Sequence, residues 1–99
     1  MSNRITTDAV EILKDRVAQD PELAFYVEEE RKRLMLADKI RQARQESGLS
    51  QKELAKRIGT TQSAVARLES GKYERLSLST LIKVTRALNR RINLEILPA

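Results

Sequence analysis

The stretch Leu49-Ser50-Gln51-Lys52-Glu53-Leu54-Ala55-Lys56-Arg57-Ile58-Gly59-Thr60-Thr61-Gln62-Ser63-Ala64-Val65-Ala66-Arg67-Leu68-Glu69-Ser70-Gly71-Lys72 decides the fold. Ser50 followed three residues on by Glu53 has the form of a capping box and predicts a helix over about Gln51 to Ile58. Gly59-Thr60-Thr61 interrupts that helix, a second short one carries Ala64, Val65 and Leu68 inward, and Ser70-Gly71 ends it. Helices separated by so short a turn must cross steeply, and a steep crossing needs a small side chain at the closest approach. Ala55 stands there, with Leu54, Ile58, Val65 and Leu68 as the packing set.

Upstream, Gly48 closes a long helix with a residue that tolerates positive φ. Asp20-Pro21 opens that helix, an acid that caps and an imino acid accepted at the first helical position. Leu23, Val27, Leu34, Ala37 and Ile40 carry it to about Glu46, as one helix or two in line. Within it Glu28-Glu29-Glu30-Arg31-Lys32-Arg33 places acids three and four residues ahead of bases, as suits a solvated face. Further upstream Ile5, Ala9, Ile12, Leu13 and Val17 recur at helical spacing, with Asp8 and Glu11 as a capping-box-like start to a short first helix. Downstream, Ser77 caps a last helix with Leu78, Leu81, Ile82, Thr85 and Leu88 on one face, and Asn89 takes the left-handed stop. The period then changes: Ile92, Leu94 and Ile96 alternate with Asn93 and Glu95 until Pro98, which is the pattern of a strand. A lone strand leaves its backbone groups unpaired, so pairing with the same strand of a second copy across a two-fold axis is expected. A loose tail, or an extended segment packed on its own helices, is the other reading.

The 99 residues carry 19 Lys+Arg against 14 Asp+Glu, and the surplus is uneven. Residues 1–33 hold 6 basic and 8 acidic residues, a net of −2, whereas residues 34–99 hold 13 and 6, a net of +7, which makes the second segment the polyanion candidate. With Cys 0 and His 0 there is no thiolate or imidazole for a zinc site, no disulfide, no Cys nucleophile and no His base, so no metal and no cofactor is expected. Most of the acids sit at helix starts or in charge-compensated runs with no glycine-rich phosphate loop beside them, so the chain is not expected to be an enzyme. No run approaches the ~18 apolar residues of a membrane span, and the N-terminus lacks the apolar core of a secretory signal. A soluble, cytoplasmic chain with no membrane partner is the expectation. A chain of this size buries only about 60–65% of the surface its unfolded form exposes, so burial by self-association would matter.

A short helix, a glycine-containing turn and a second short helix in a basic, helical domain make a helix-turn-helix, whose second helix enters the major groove of DNA. The stretch from Leu49 to Lys72 resembles the Cro and phage-repressor helix-turn-helix family, and the likeness continues through Ser77 to Asn89 and the terminal segment, over about Leu34 to Ala99. Asn89 departs from the family's usual Gly at that helix stop. With the flanking segments included, Asp20-Pro21-Glu22-Leu23 and Ile92 to Pro98 among them, the whole chain is similar to HigA-type antitoxins. The expected fold is therefore an all-α helix-turn-helix bundle of five to six helices with one C-terminal strand. It divides into an N-terminal helical extension over 1–33, a DNA-binding domain over 34–90 and a dimerisation strand over 91–99, with Ile92, Leu94 and Ile96 at the dimer contact.

Gln62, Ser63 and Arg67 fall on the face of the recognition helix left free when Val65 and Leu68 point inward. Gln can bond adenine N6 and N7, Ser can donate or accept, and Arg can fork onto guanine O6 and N7. A phosphate contact or a surface salt bridge is the other use of Arg67. Gln51 and Thr61, at the starts of the two motif helices, can bring an amide or hydroxyl and free backbone N–H groups to phosphates. The resemblance implies further phosphate contacts from Lys72 and Arg75, with Tyr73 alongside, and an ion pair between Arg44 and Glu69 that joins the preceding helix to the end of the recognition helix.

The acidic N-terminal third is not needed to complete the motif. Resemblance to HigA-type antitoxins implies a docking place for a small basic ribonuclease toxin, with Leu23, Phe25, Tyr26 and Val27 as apolar anchors; packing onto the dimer's own core is the alternative use of the two aromatics. The leading expectation is a sequence-specific repressor that binds double-stranded DNA as a homodimer at a palindromic operator and serves as the antitoxin of a module that regulates its own promoter. A stand-alone regulator, or a protein-interaction module that neutralises a partner without specific DNA binding, is the competing reading. RNA binding is disfavoured because single-strand readers rely on aromatic platforms, and this chain has Phe 1, Tyr 2 and Trp 0.

Overall fold

Side chains that satisfy orphan backbone groups set most of the helix boundaries. The computed structural model describes the backbone of residues 2–99 and the side chains of residues 8–99. Five helices follow in order: α1 (Ser2–Gln19), α2 (Pro21–Glu46), α3 (Gln51–Ile58), α4 (Gln62–Ser70) and α5 (Leu78–Ala87). They fall into two compact units, Met1–Arg33 and Leu34–Ala99.

In the first unit, α1 runs straight through Asp8, so the expected short helix with a cap at Asp8 is corrected to one of 18 residues. Residues 2–7 contain neither Gly nor Pro, and nothing there stops a helix. Val10, Ile12 and Leu13 are exposed and Val17 is half-buried; the side chain of Ile5 lies outside the described residues. Asp20 caps α2 as expected, its Oδ1 accepting the N–H groups of Glu22 at 3.0 Å and Leu23 at 3.2 Å. Along α2 the charged run pairs at i,i+3, Glu28 with Arg31 at 2.6 Å, Glu29 with Lys32 at 3.6 Å and Glu30 with Arg33 at 3.4 Å. Such exposed pairs contribute little to stability, and they mark a solvated face.

The second unit buries Ile40, Leu49, Leu54, Ala55, Val65, Leu68, Val84 and Leu88 in one core, with α3 packed against both α4 and α5. Ala55 is 3% exposed within this core, so a larger side chain there would have to displace its neighbours. The capping box at α3 is complete: Ser50 Oγ accepts from the Glu53 N–H at 3.0 Å, and Glu53 Oε1 accepts from the Ser50 N–H at 3.1 Å. Gly59 ends α3 at φ +73°, and its N–H returns to the last carbonyls of the helix. Asn89 takes φ +53° after α5, the stop expected of it.

Two expectations about the C-terminal part are corrected. On α5 the buried positions are Val84 and Leu88, with Leu81 partly buried, while Leu78 and Ile82 are exposed. The helix carries two apolar stripes at helical spacing, and contact with α3 selects the one through Val84. The tail from Arg91 to Ala99 is not a strand; among the described residues there is none. A strand exists through its hydrogen-bonded ladder, and among the described residues no second segment supplies one. Ile92 is half-buried against α2 and α5, Leu94 is exposed, and Ile96 is 101% exposed, so alternation along the tail does not translate into a buried face.

Two measurements check this local reading. A Cβ at Gly59 would meet no atom within 4 Å, so Gly59→Ala tests the positive φ alone and should cost about 1–2 kcal/mol in urea unfolding. The hydrogen bonds from Ser50 hold the Glu53 carboxyl below its ordinary value of 4.5. A lowered folded-state pKa means that the cap's charged contribution is present above that value and is lost as pH falls through the folded one. Glu53→Gln, which keeps an acceptor but not the charge, should therefore flatten the fall of Tm below about pH 4.5.

Candidate nucleic-acid interface

Helix α4 starts at Thr61, whose Oγ1 accepts the Ala64 N–H at 3.1 Å, and this cap defines where the helix presents its first free N–H groups. Val65, Leu68 and Glu69 turn inward and are buried. Ser63 and Arg67 lie one turn apart on the opposite side, and they and Gln62 in the first turn are all exposed. The three side chains expected at base edges are thus all solvent-facing, in the first turn and a half of α4.

An ion pair ties the helix that carries those side chains to α2. Arg44 from α2 forks onto Glu69 of α4, Nε to Oε2 at 2.6 Å and Nη2 to Oε1 at 2.8 Å. Its third nitrogen donates to the Leu49 carbonyl at 2.8 Å, in the turn that leads into α3. Gln51 at the start of α3 donates its side-chain amide to the same Glu69 at 3.3 Å. The side chains of Arg44 and Glu69 are 12% and 3% exposed, so the pair lies within the fold and not on its surface. The bond to Glu69 holds the Arg44 guanidinium above its ordinary pKa, against the opposing effect of burial.

Gln51 is thereby committed in part to the scaffold, and its phosphate contact would fall to the helix N–H groups beside it. Thr61 is exposed at its cap, and Lys72 and Arg75 are exposed in the loop between α4 and α5. These two, with Arg67, line an open groove of about 710 Å³ whose far wall is α5, where Thr80 and Lys83 also line it. Sequence reasoning missed Thr80 and Lys83; the readable signal was their spacing of three along one polar stripe of α5. On α2, Leu23 and Val27 are half-buried while Phe25 and Tyr26 are 69% and 62% exposed, and these four belong to the first unit. Among the described residues no helix is long and apolar enough to cross a membrane.

Comparison with known proteins bears on the same segment. Residues 40–94 match the helix-turn-helix family. An uncharacterized HTH-type transcriptional regulator of Methanothermobacter thermautotrophicus is 45% identical over 51 residues, which cover 52% of this chain and 72% of the relative. A protein of the same description from Archaeoglobus fulgidus is 41% identical over 54 residues, 54% of this chain and 76% of the relative.

The Arg44–Glu69 pair yields a prediction with a built-in control. Arg44→Ala leaves a buried carboxylate with only the Gln51 amide and should cost about 3 kcal/mol in urea unfolding, the lower end for a broken buried pair because Arg44 keeps some contact with water. Arg44→Met combined with Glu69→Leu should recover most of that loss, since two apolar side chains replace both charges.

Proposed function

This chain belongs to the Cro and phage-repressor helix-turn-helix family of DNA-binding transcriptional regulators, and from that premise we propose that it is a sequence-specific repressor acting as a homodimer on a palindromic operator. The observation that carries this reading is the exposed Gln62, Ser63 and Arg67 on a helix that the buried Arg44–Glu69 pair ties to α2. Side chains that must read base edges need a rigid support, because a misplaced bidentate donor contributes nothing to discrimination. The net charge of +7 over residues 34–99 supports the sequence-independent part of the affinity.

In this proposal Gln62, Ser63 and Arg67 read bases, while the helix starts at Gln51 and Thr61, with Lys72 and Arg75, take phosphates. Two half-sites about 34 Å apart would each receive one recognition helix, and a two-fold protein then requires a palindromic site. Support for a dimer comes from Leu78 and Ile82, an exposed apolar pair on α5 that the chain's own core leaves uncovered.

The proposal extends to the N-terminal third, with repression of the chain's own promoter and an antitoxin role toward a small basic ribonuclease toxin. Similarity of the flanking segments to HigA-type antitoxins supports it, together with the net −2 of residues 1–33 and the exposed Phe25 and Tyr26.

Fluorescence anisotropy of labelled duplex from the chain's own upstream region, against a scrambled duplex at two salt concentrations, tests the regulator reading. The native protein should prefer the upstream duplex, and Arg67→Ala should lose about 1–3 kcal/mol, roughly 5- to 150-fold, with relaxed specificity at one base position. Equal, weak binding to both duplexes, unchanged in the mutant, would reject sequence-specific repression in favour of a protein-interaction module.

A further inference from the structure

We propose that α5 is part of the nucleic-acid interface: Lys83, with Thr80 one turn before it, forms the second wall of a phosphate-binding groove that faces Arg67 across the loop. The inference rests on the regulator reading above and adds to it a contact from outside the helix-turn-helix and its following loop.

The groove is lined by four cations, Arg67, Lys72, Arg75 and Lys83, against one carboxylate, Glu74. Among the described residues none of these cations forms an ion pair, a property they share with Lys39, Lys52 and Arg86; what distinguishes them is that four line one groove with a single carboxylate among them. Like charges gathered in one groove repel unless an anion enters it, so the concentration of unpaired cations favours an anionic occupant. Thr80 supplies a neutral donor. The Ser77 hydroxyl accepts the Thr80 N–H at 3.1 Å and donates to Thr80 Oγ1 at 2.9 Å, which leaves the proton of Thr80 itself to donate outward. The occupant is a phosphodiester strand and not a small anion, because Arg67 belongs both to this groove and to the exposed side chains of α4; whatever these read brings its backbone to the groove.

A second cation on the same helix provides the control. Arg86, one turn beyond Lys83, does not line the groove and borders a separate hollow with Leu78 and Ile82. Lys83→Gln and Arg86→Gln therefore remove the same charge from the same helix, one inside the groove and one outside it. The experiment is anisotropy of full-length protein on the upstream duplex and its scrambled counterpart over a fourfold salt range, with thermal melts to confirm folding.

Each phosphate contact contributes about 0.9 to the slope of log affinity against log salt. Lys83→Gln should make that slope shallower by about 0.9, so that a fourfold rise in salt costs the mutant about 3.5-fold less affinity than the native protein, with the preference for the upstream duplex unchanged. Arg86→Gln should keep the native slope, and Lys83→Arg should restore it. A native slope in Lys83→Gln, or an equal reduction in both Gln variants, overturns the groove assignment while leaving the regulator reading intact. Loss of preference for the upstream duplex in the native protein overturns both.

Discussion

Arg44 and Glu69 meet within the second unit, and the pair ties the helix that carries the exposed Gln62, Ser63 and Arg67 to α2. The carboxylate accepts from Arg44 and Gln51, and the guanidinium also takes the Leu49 carbonyl, so one charge cluster ties α2, the α2–α3 turn, α3 and α4. Burying two ions removes hydration that their mutual attraction only roughly offsets, so the pair contributes little net stability. Its contribution is orientation. The bidentate fork adds a directional contact between the two helices to the non-directional apolar packing at Val65 and Leu68.

Around that cluster the second unit separates its tasks by chemistry. Leu54, Val65, Val84 and Leu88, each no more than 2% exposed, form the packed interior. Polar and cationic side chains occupy the outer edge of α4 and the groove beside it. The division suits a reader of DNA: a rigid apolar interior holds donors in register, and a basic exterior supplies salt-dependent affinity without naming a sequence. The first unit has a different character. Its apolar side chains Val10, Ile12, Leu13, Phe25 and Tyr26 are exposed and its net charge is negative, which is the composition of a surface suited to a partner and not to a polyanion.

Much of this was legible from local chemistry. Ser50 and Glu53, Asp20 before Pro21, Thr61, Ser77, Gly59 and Asn89 announce helix boundaries because each satisfies, or frees from strain, a backbone group within a few residues of itself. For the same reason the bounds of α2, α3 and α5 follow the pattern closely. The start of α1 did not, because Asp8 and Glu11 have the spacing of a cap without a break in the chain before them. On α5 apolar residues recur at helical spacing both through Leu78 and Ile82 and through Leu81, Val84 and Leu88, and the expected face mixed the two. The tail failed for a related reason: alternation at Ile92, Leu94 and Ile96 is necessary for a half-buried strand but does not provide the neighbour that makes one. Among the site residues, the exposed face of α4 was readable from where Val65 and Leu68 point, but the use of Gln51 by Glu69 and the place of Lys83 in the groove were not.

By itself the amino-acid sequence determined where most of the helices begin and end, that Ala55 is buried between short helices, and that positive charge gathers after residue 34. Those properties are set by interactions within one turn of helix or by composition. Tertiary structure alone decided which stripe of α5 is core, that the tail carries no ladder, that Gln51 joins the ion pair, and that Arg67, Lys72, Arg75 and Lys83 share one groove. Each of these depends on residues brought together from different helices, and distance in space between such residues is not encoded in any local pattern.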